Sequence, residues 1–308
     1  MTHLRAVLLM VTATFLWSIA GVVTRQLHAA QSFEVTFWRS FFTVCTLGAV
    51  LLIGPLRRLA RMSTLGATRF TPSLWISGVC WAVMFTAFMV ALTLTTTAKV
   101  LVVLALGPLF TAIAARVFLV HRLAPRTIAA VVAAGAGIAW MFSNGLTASD
   151  WKGTAVALCV PIAAAANWTV VQHGRSHAAP IDLVPAVFMG AVLSALATVV
   201  PAAPFAADAH DLFWLAVLGS LQLALPCVLV VHCARVLSAP EVALLALLEV
   251  IFGIALAWAL VGETPAPRVL SGGALVLVAL AANELLGLRA RRRDLDSEGA
   301  GELGAPIS

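Results

Sequence analysis

Two ionisable side chains sit inside long apolar stretches, where their charge could do chemistry. Glu249 lies in ALLALLEVIFGIALAWAL and Arg39 in FEVTFWRSFFTV. A charge among such neighbours is costly unless it meets a counter-charge, water or a proton, so each is a functional candidate. Glu249 lies well inside its apolar run, away from both ends. It could take a coupling proton or hold a substrate amine, or it could be a structural carboxyl paired with an arginine. Arg39 could grip a substrate carboxylate through two N–H groups. It could also snorkel to the surface or clamp Glu34. Lys99 and Glu241 start two further apolar runs and read as solvated ends, with Lys99 as an outer gate contact in the alternative.

Uncharged groups extend the set. Asn167 and Gln222 are mid-run amides that could bind substrate or hydrogen-bond between helices. Trp17, Trp168 and Trp258 could line a cavity for an apolar or aromatic metabolite, or hold a cation against a ring face. Helix packing is the commoner role for such rings. Pro108, Pro161 and Pro226 are expected to interrupt the fourth, sixth and eighth helices, freeing carbonyls and letting half-helices shift.

Catalytic patterns are lacking. Ser220 and His232 lie twelve residues apart, about 18 Å along one helix and too far to hydrogen-bond. No GxSxG, HExxH or GxxxxGK[ST] occurs, so neither an enzyme nor an ATP-driven pump is expected. The five cysteines all fall in apolar runs without a CxxC pair and read as small buried hydrophobes. No metal and no cofactor are expected.

The elements that must position these groups follow from composition. Hydrophobic residues make up 62% of the chain and charged ones 10%, with a mean hydropathy of +1.03, against about 25% charged in a soluble domain. A helix needs about 20 mostly apolar residues to cross a bilayer. The even apolarity excludes the alternating strands of a barrel. The runs predict ten helices, at 4–24, 34–53, 73–94, 98–120, 127–142, 153–172, 183–200, 212–233, 240–261 and 268–288. An N-terminal signal peptide is the lesser reading of the first run.

The net charge of +6 is an orientation signal and not a nucleic-acid one. Arg5, Arg57, Arg58, Arg61, Arg69, Arg122, Arg126, Arg175, Arg235, Arg289 and Arg291–Arg293 fall on alternate connections. Arg25, Lys99, Lys152 and Arg268 fall on the others. Basic residues stay cytoplasmic, which places both ends inside. Trp75, Trp151 and Trp214 suit the interfacial aromatic belt. The charged, then Gly-rich segment 289–308 reads as a short disordered cytoplasmic tail.

The halves echo each other. PLFTAIAARVFLVHRLAPR at 108–126 aligns with VIFGIALAWALVGETPAPR at 250–268 after a shift of about 142 residues, matching Phe110 with Phe252, Ala115 with Ala257, and both Ala-Pro-Arg triplets. Five helices per half invert the second half in the membrane. Inverted repeats are a transporter signature, with the substrate site near the midplane between them. Domains are therefore expected at 1–145 and 146–288. GAGxxW at 135–140 and SGGA at 271–274 should let helices pack closely.

FLWSIAGVVTRQL at 15–27, FWRSFF at 37–42, ALTLTTTAKVLVVLALGPLFTAI at 91–113 and ARVLSAPEVALLALLEVIFGIALAWALVGET at 234–264 resemble the EamA-type members of the drug/metabolite transporter superfamily. His121 departs from that pattern where glutamate is usual, while Glu263 keeps it in the second half. The resemblance implies a ten-helix, 5+5, all-α protein of the cell (inner) membrane. It implies a secondary transporter of small organic metabolites, an exporter of amino acids or related compounds; with no ATP-binding motif, the expected drive is an ion or substrate gradient, protons among the candidates. The alternative is a channel or sensor subunit, and a homodimer is left open. Lipid and a small-molecule substrate are the expected partners.

Overall fold

The computed structural model describes residues 2–53, 72–118, 125–141, 148–176, 183–233, 236, 237, 242 and 245–303. Among these, all regular structure is helical. In the first half, α1 is His3–Ser18, α2 Ala20–Thr24, α3 Ser32–Ile53, α4 Pro72–Leu94, α5 Thr97–Leu104, α6 Gly107–Phe118 and α7 Pro125–Met141. In the second, α8 is Ala148–Ser176, α9 Leu183–Val199 and α10 Ala209–Val217. A π-helical segment, Leu218–Ala224, leads into α11 (Leu225–Cys233), followed by α12 (Leu248–Val261) and α13 (Pro267–Leu303).

Among the described residues, five stretches are long and apolar enough to cross a membrane: His3–Thr24, Pro72–Leu94, Trp151–Val170, Ala209–Val230 and Pro267–Gly287. Shorter apolar helices include Pro125–Met141, Val184–Val199 and Leu248–Val261. Helix is the only open-ended way to satisfy a backbone in lipid. The ends carry ordinary caps: the Thr2 hydroxyl accepts the Arg5 amide, and Gly262 closes α12 at φ 70, a left-handed position that favours glycine.

Packing reveals the repeat more clearly than the sequence does. Two contacts join a first-half helix to its own counterpart: α3 with α9 and α7 with α13. Three further contacts have an exchanged partner: α4 packs on α8 as α11 packs on α1, α6 on α8 as α12 on α1, and α4 on α9 as the π segment on α3. Swapping the halves maps each of these onto its partner. The α7–α13 contact runs through glycines: a Cβ on Gly137 would meet the Gly272 carbonyl oxygen at 2.7 Å. The small-residue motifs thus bring two backbones together, as their sequence suggested.

Several expectations change. The fourth helix is broken into α5 and α6 at Ala105–Leu106. Pro108 is the second residue of α6, where its missing N–H is an unpaired one anyway, so it opens a helix and kinks none. Pro226 lies inside the continuous helical run 209–233, just after the π segment, and Pro161 stays inside an unbroken α8. The 289–303 stretch, expected to be disordered, continues α13 as helix to Leu303. Its Arg, Ala, Leu and Glu residues are good helix formers, and extending an existing helix needs no new nucleus. His121, Glu241 and residues 304–308 lie outside the described residues.

Candidate functional site

α3 and the π segment approach backbone to backbone. A Cβ on Gly219 would stand 2.6 Å from the Phe42 Cβ and 2.9 Å from the Thr43 nitrogen. The Thr43 hydroxyl lies 2.8 Å from the Arg39 carbonyl and 3.0 Å from the Gly219 carbonyl, stitching the two helices. One turn on, Thr46 donates to Ser220 at 2.8 Å. A π segment widens the helix and turns its side chains relative to an α-helical frame, and such segments recur at functional sites. Here it presents Gln222 to Arg39.

Both Arg39 and Gln222 are fully buried, at 2% and 1% exposure. Arg39 Nε and Nη2 donate to the Gln222 Oε1 at 3.1 and 2.9 Å. The Gln222 amide nitrogen donates to the Trp17 carbonyl at 3.0 Å, tying α1 into the same cluster. The guanidinium carbon lies 5.9 Å from the Phe85 ring centroid and 5.6 Å from that of Phe88, both on α4, in cation–π range. Arg39 Nη1 has no hydrogen-bond partner among the described residues. The cluster therefore holds one positive charge, aromatic walls and a free N–H donor.

Arg39 does not clamp Glu34, as the sequence allowed. The two are five residues apart, which turns them about 140° from each other around α3. Glu34 instead accepts the Ala206 and Ala207 amides at 2.8–3.0 Å.

Glu249 is in electrostatic reach of both Arg39 and Cys227 but makes no direct ion pair with Arg39. It is half-buried and lies in the first turn of α12, after a turn at Leu247. That corrects the mid-helix placement expected from the apolar run. A helix N-terminus favours an anion there. The shift of about 142 residues that aligns the halves brings the Ala105–Leu106 break onto Leu247 and Leu248. Both halves thus interrupt the same helix at the same place, and α5 packs on α12. Gly253 of α12 sits against Leu101 of α5 and beneath Ser18 of α1.

The remaining candidates spread out. Asn167 is buried on α8 and accepts from Ser77 at 2.6 Å, while its amide nitrogen is unpartnered among the described residues. Trp168 and Trp258 stand 39% and 63% exposed, on the outward sides of α8 and α12 and outside the Arg39 cluster. Lys99 is half-buried near the start of α5.

Sequence reasoning missed a second polar assembly, at the bundle end where the 25–34 segment meets three other loops. Asp211 is fully buried and accepts the His28, Ala29 and Ala30 amides, each at 2.9 Å. Glu263 accepts the Thr97 amide at 2.7 Å and sits 3.6 Å from Arg25. Arg25 also donates to the Leu92 and Thr95 carbonyls. Each carboxylate caps a loop of the opposite half. Their only signal in sequence was an acid beside the end of an apolar run.

A bundle of apolar helices in two related halves, joined by a buried polar cluster, is the architecture of a membrane transporter. The chain belongs to the EamA-like transporter family, whose model matches residues 4–143 and again 151–283. It lies within the drug/metabolite transporter superfamily and transports small molecules across a membrane. Fourteen chains of solved structures match. One, a crystal structure of a protein, has a TM-score of 0.63 at 20% identity over 92% of this chain and 98% of the other, which shows a shared fold. No curated protein matches.

Proposed function

We propose that the protein is a secondary transporter of small zwitterionic metabolites, amino acids or close relatives, and that it works in the export direction. The observation that carries this reading is the Nη1 of Arg39, unpartnered among the described residues, set beside two phenylalanine rings and within electrostatic reach of Glu249. A substrate carboxylate would take the free N–H donor, and a substrate ammonium would be drawn to Glu249. Phe85 and Phe88 would cover an apolar side chain. The amide of Gln222 holds the guanidinium in place without neutralising it, leaving its charge for the substrate.

Alternating access would arise from the paired interruptions at Ala105–Leu106 and Leu247, where half-helices can shift about the cluster. Ten spans with both ends in the cytoplasm of a cell (inner) membrane fit the arginine pattern. Glu249 is the proposed proton-coupling group. Export rests on the family resemblance. Counterflow in proteoliposomes tests the proposal: vesicles loaded with pooled amino acids should take up labelled members of the pool saturably. Uptake that does not saturate, or that is unchanged in Arg39→Ala, would reject it.

A further inference from the structure

The strongest unassigned cluster lies away from Arg39, at the bundle end where the halves cap each other. His28, from the segment after α2, stacks on His210, at the start of α10, with ring centroids 4.5 Å apart and planes 11° apart. Asp211 lies beside them. One ring nitrogen from each histidine and one Asp211 carboxylate oxygen all fall within 4.8 Å of one another. Both histidines are exposed, so the site is open to solvent, while the carboxylate is buried.

We propose that His28, His210 and Asp211 form a divalent transition-metal site joining the two halves. The donor set suits zinc, nickel or copper: two neutral imidazoles and one carboxylate, with a net charge of −1 before metal binds. Asp211 is already oriented. Its Oδ2 accepts two backbone amides and its Oδ1 only the His28 amide, so Oδ1 keeps acceptor capacity. Metal-binding carboxylates are commonly held by such outer hydrogen bonds. His210 Nδ1 lies 3.7 Å from that same Oδ1.

The geometry needs a small closure. Ligand atoms around a tetrahedral zinc at about 2.0–2.1 Å stand roughly 3.3 Å apart, and exposed imidazoles can rotate inward by that difference. Solvent would fill the remaining positions. One existing bond must change. Trp214 Nε1 donates to His210 Nε2 at 3.1 Å, so the His210 proton sits on Nδ1. Metal at Nδ1 moves that proton to Nε2, and the indole then loses its acceptor. Metal binding thus carries its own reporter in Trp214.

The test uses the full-length protein in detergent, without a histidine tag and without any substrate, so its outcome is independent of the transport reading. Calorimetry with zinc or nickel chloride should give saturable binding of one ion per chain. His28→Ala and His210→Ala should each weaken it at least about 10-fold, and His232→Ala should not. Both variants keep the backbone amides that Asp211 holds, so the loop stays capped, and an unchanged melting temperature would verify this. Zinc should alter the indole emission of the wild type, and this change should vanish in Trp214→Phe. Absence of saturable binding, or full affinity in the double His28→Ala, His210→Ala variant, would overturn the site.

Discussion

The guanidinium of Arg39 holds the side-chain carbonyl of Gln222 through two N–H groups, 3.1 and 2.9 Å away and wholly buried. The residues come from different halves, 183 positions apart. A neutral partner for a buried cation is the unusual choice, since buried charges normally meet a counter-charge. It leaves the cation's charge unspent, which is what a binding site for an anionic group requires.

Gln222→Leu should strand two buried N–H donors, at a cost of about 1–3 kcal/mol, and lower the melting temperature of the purified protein. Gln222→Glu should do the opposite to stability while neutralising Arg39. Counterflow should fall at least tenfold in Gln222→Glu. A stable Gln222→Glu variant with normal counterflow would mean that the Arg39 charge is not used on substrate.

Glu249→Gln keeps the size of the side chain and removes its titration. Transport by the wild type should depend on an imposed pH gradient, and the variant should exchange substrate without that dependence. The measurement is uptake against external pH at fixed internal pH. An unaltered profile in Glu249→Gln would end the coupling role.

Gly219→Val should force α3 and the π segment apart, because the added carbons would land on Phe42 and Thr43. Overpacking of this kind costs about 1–3 kcal/mol. It should pull Gln222 off Arg39, so stability and transport should fall together. Gly107→Ala is the control, since a Cβ there meets nothing within 4 Å. Thermal unfolding and counterflow on both variants decide the point.

Asp211→Asn replaces two acceptor oxygens by one. The three amides of His28, Ala29 and Ala30 can then no longer all be satisfied. Amide hydrogen exchange in a peptide spanning 28–30 should speed up, while peptides in α7 and α13 stay protected. Uniform exchange across both regions would mean that Asp211 does not anchor this loop.

Composition and period were enough for much of the architecture. Apolar length alone marked helical segments that the structure carries, because lipid leaves the backbone no other open-ended choice. Gly137 and Gly272 were legible as close-packing residues, since a missing side chain has one evident use between helices. Arg39 and Gln222 were each legible as a polar group out of place. Their pairing was not. It depends on a π segment that turns Gln222 by part of a helical step, and no local pattern announced that segment. The Glu34 clamp failed for the same reason: proximity along the chain ignored the rotation around α3.

What the sequence determined by itself was the solvent: a chain this apolar, with arginines on alternate loops, belongs in a membrane as helices in two related halves. What only the tertiary structure decided was which distant residues meet. Arg39 with Gln222, Glu34 with Ala206, and His28 with Asp211 are all contacts across the halves. Transfer free energy acts on each residue alone and can be read one position at a time. Hydrogen bonds and ion pairs act over a few ångströms, and partners more than a hundred residues apart reach that distance only once the helices have packed.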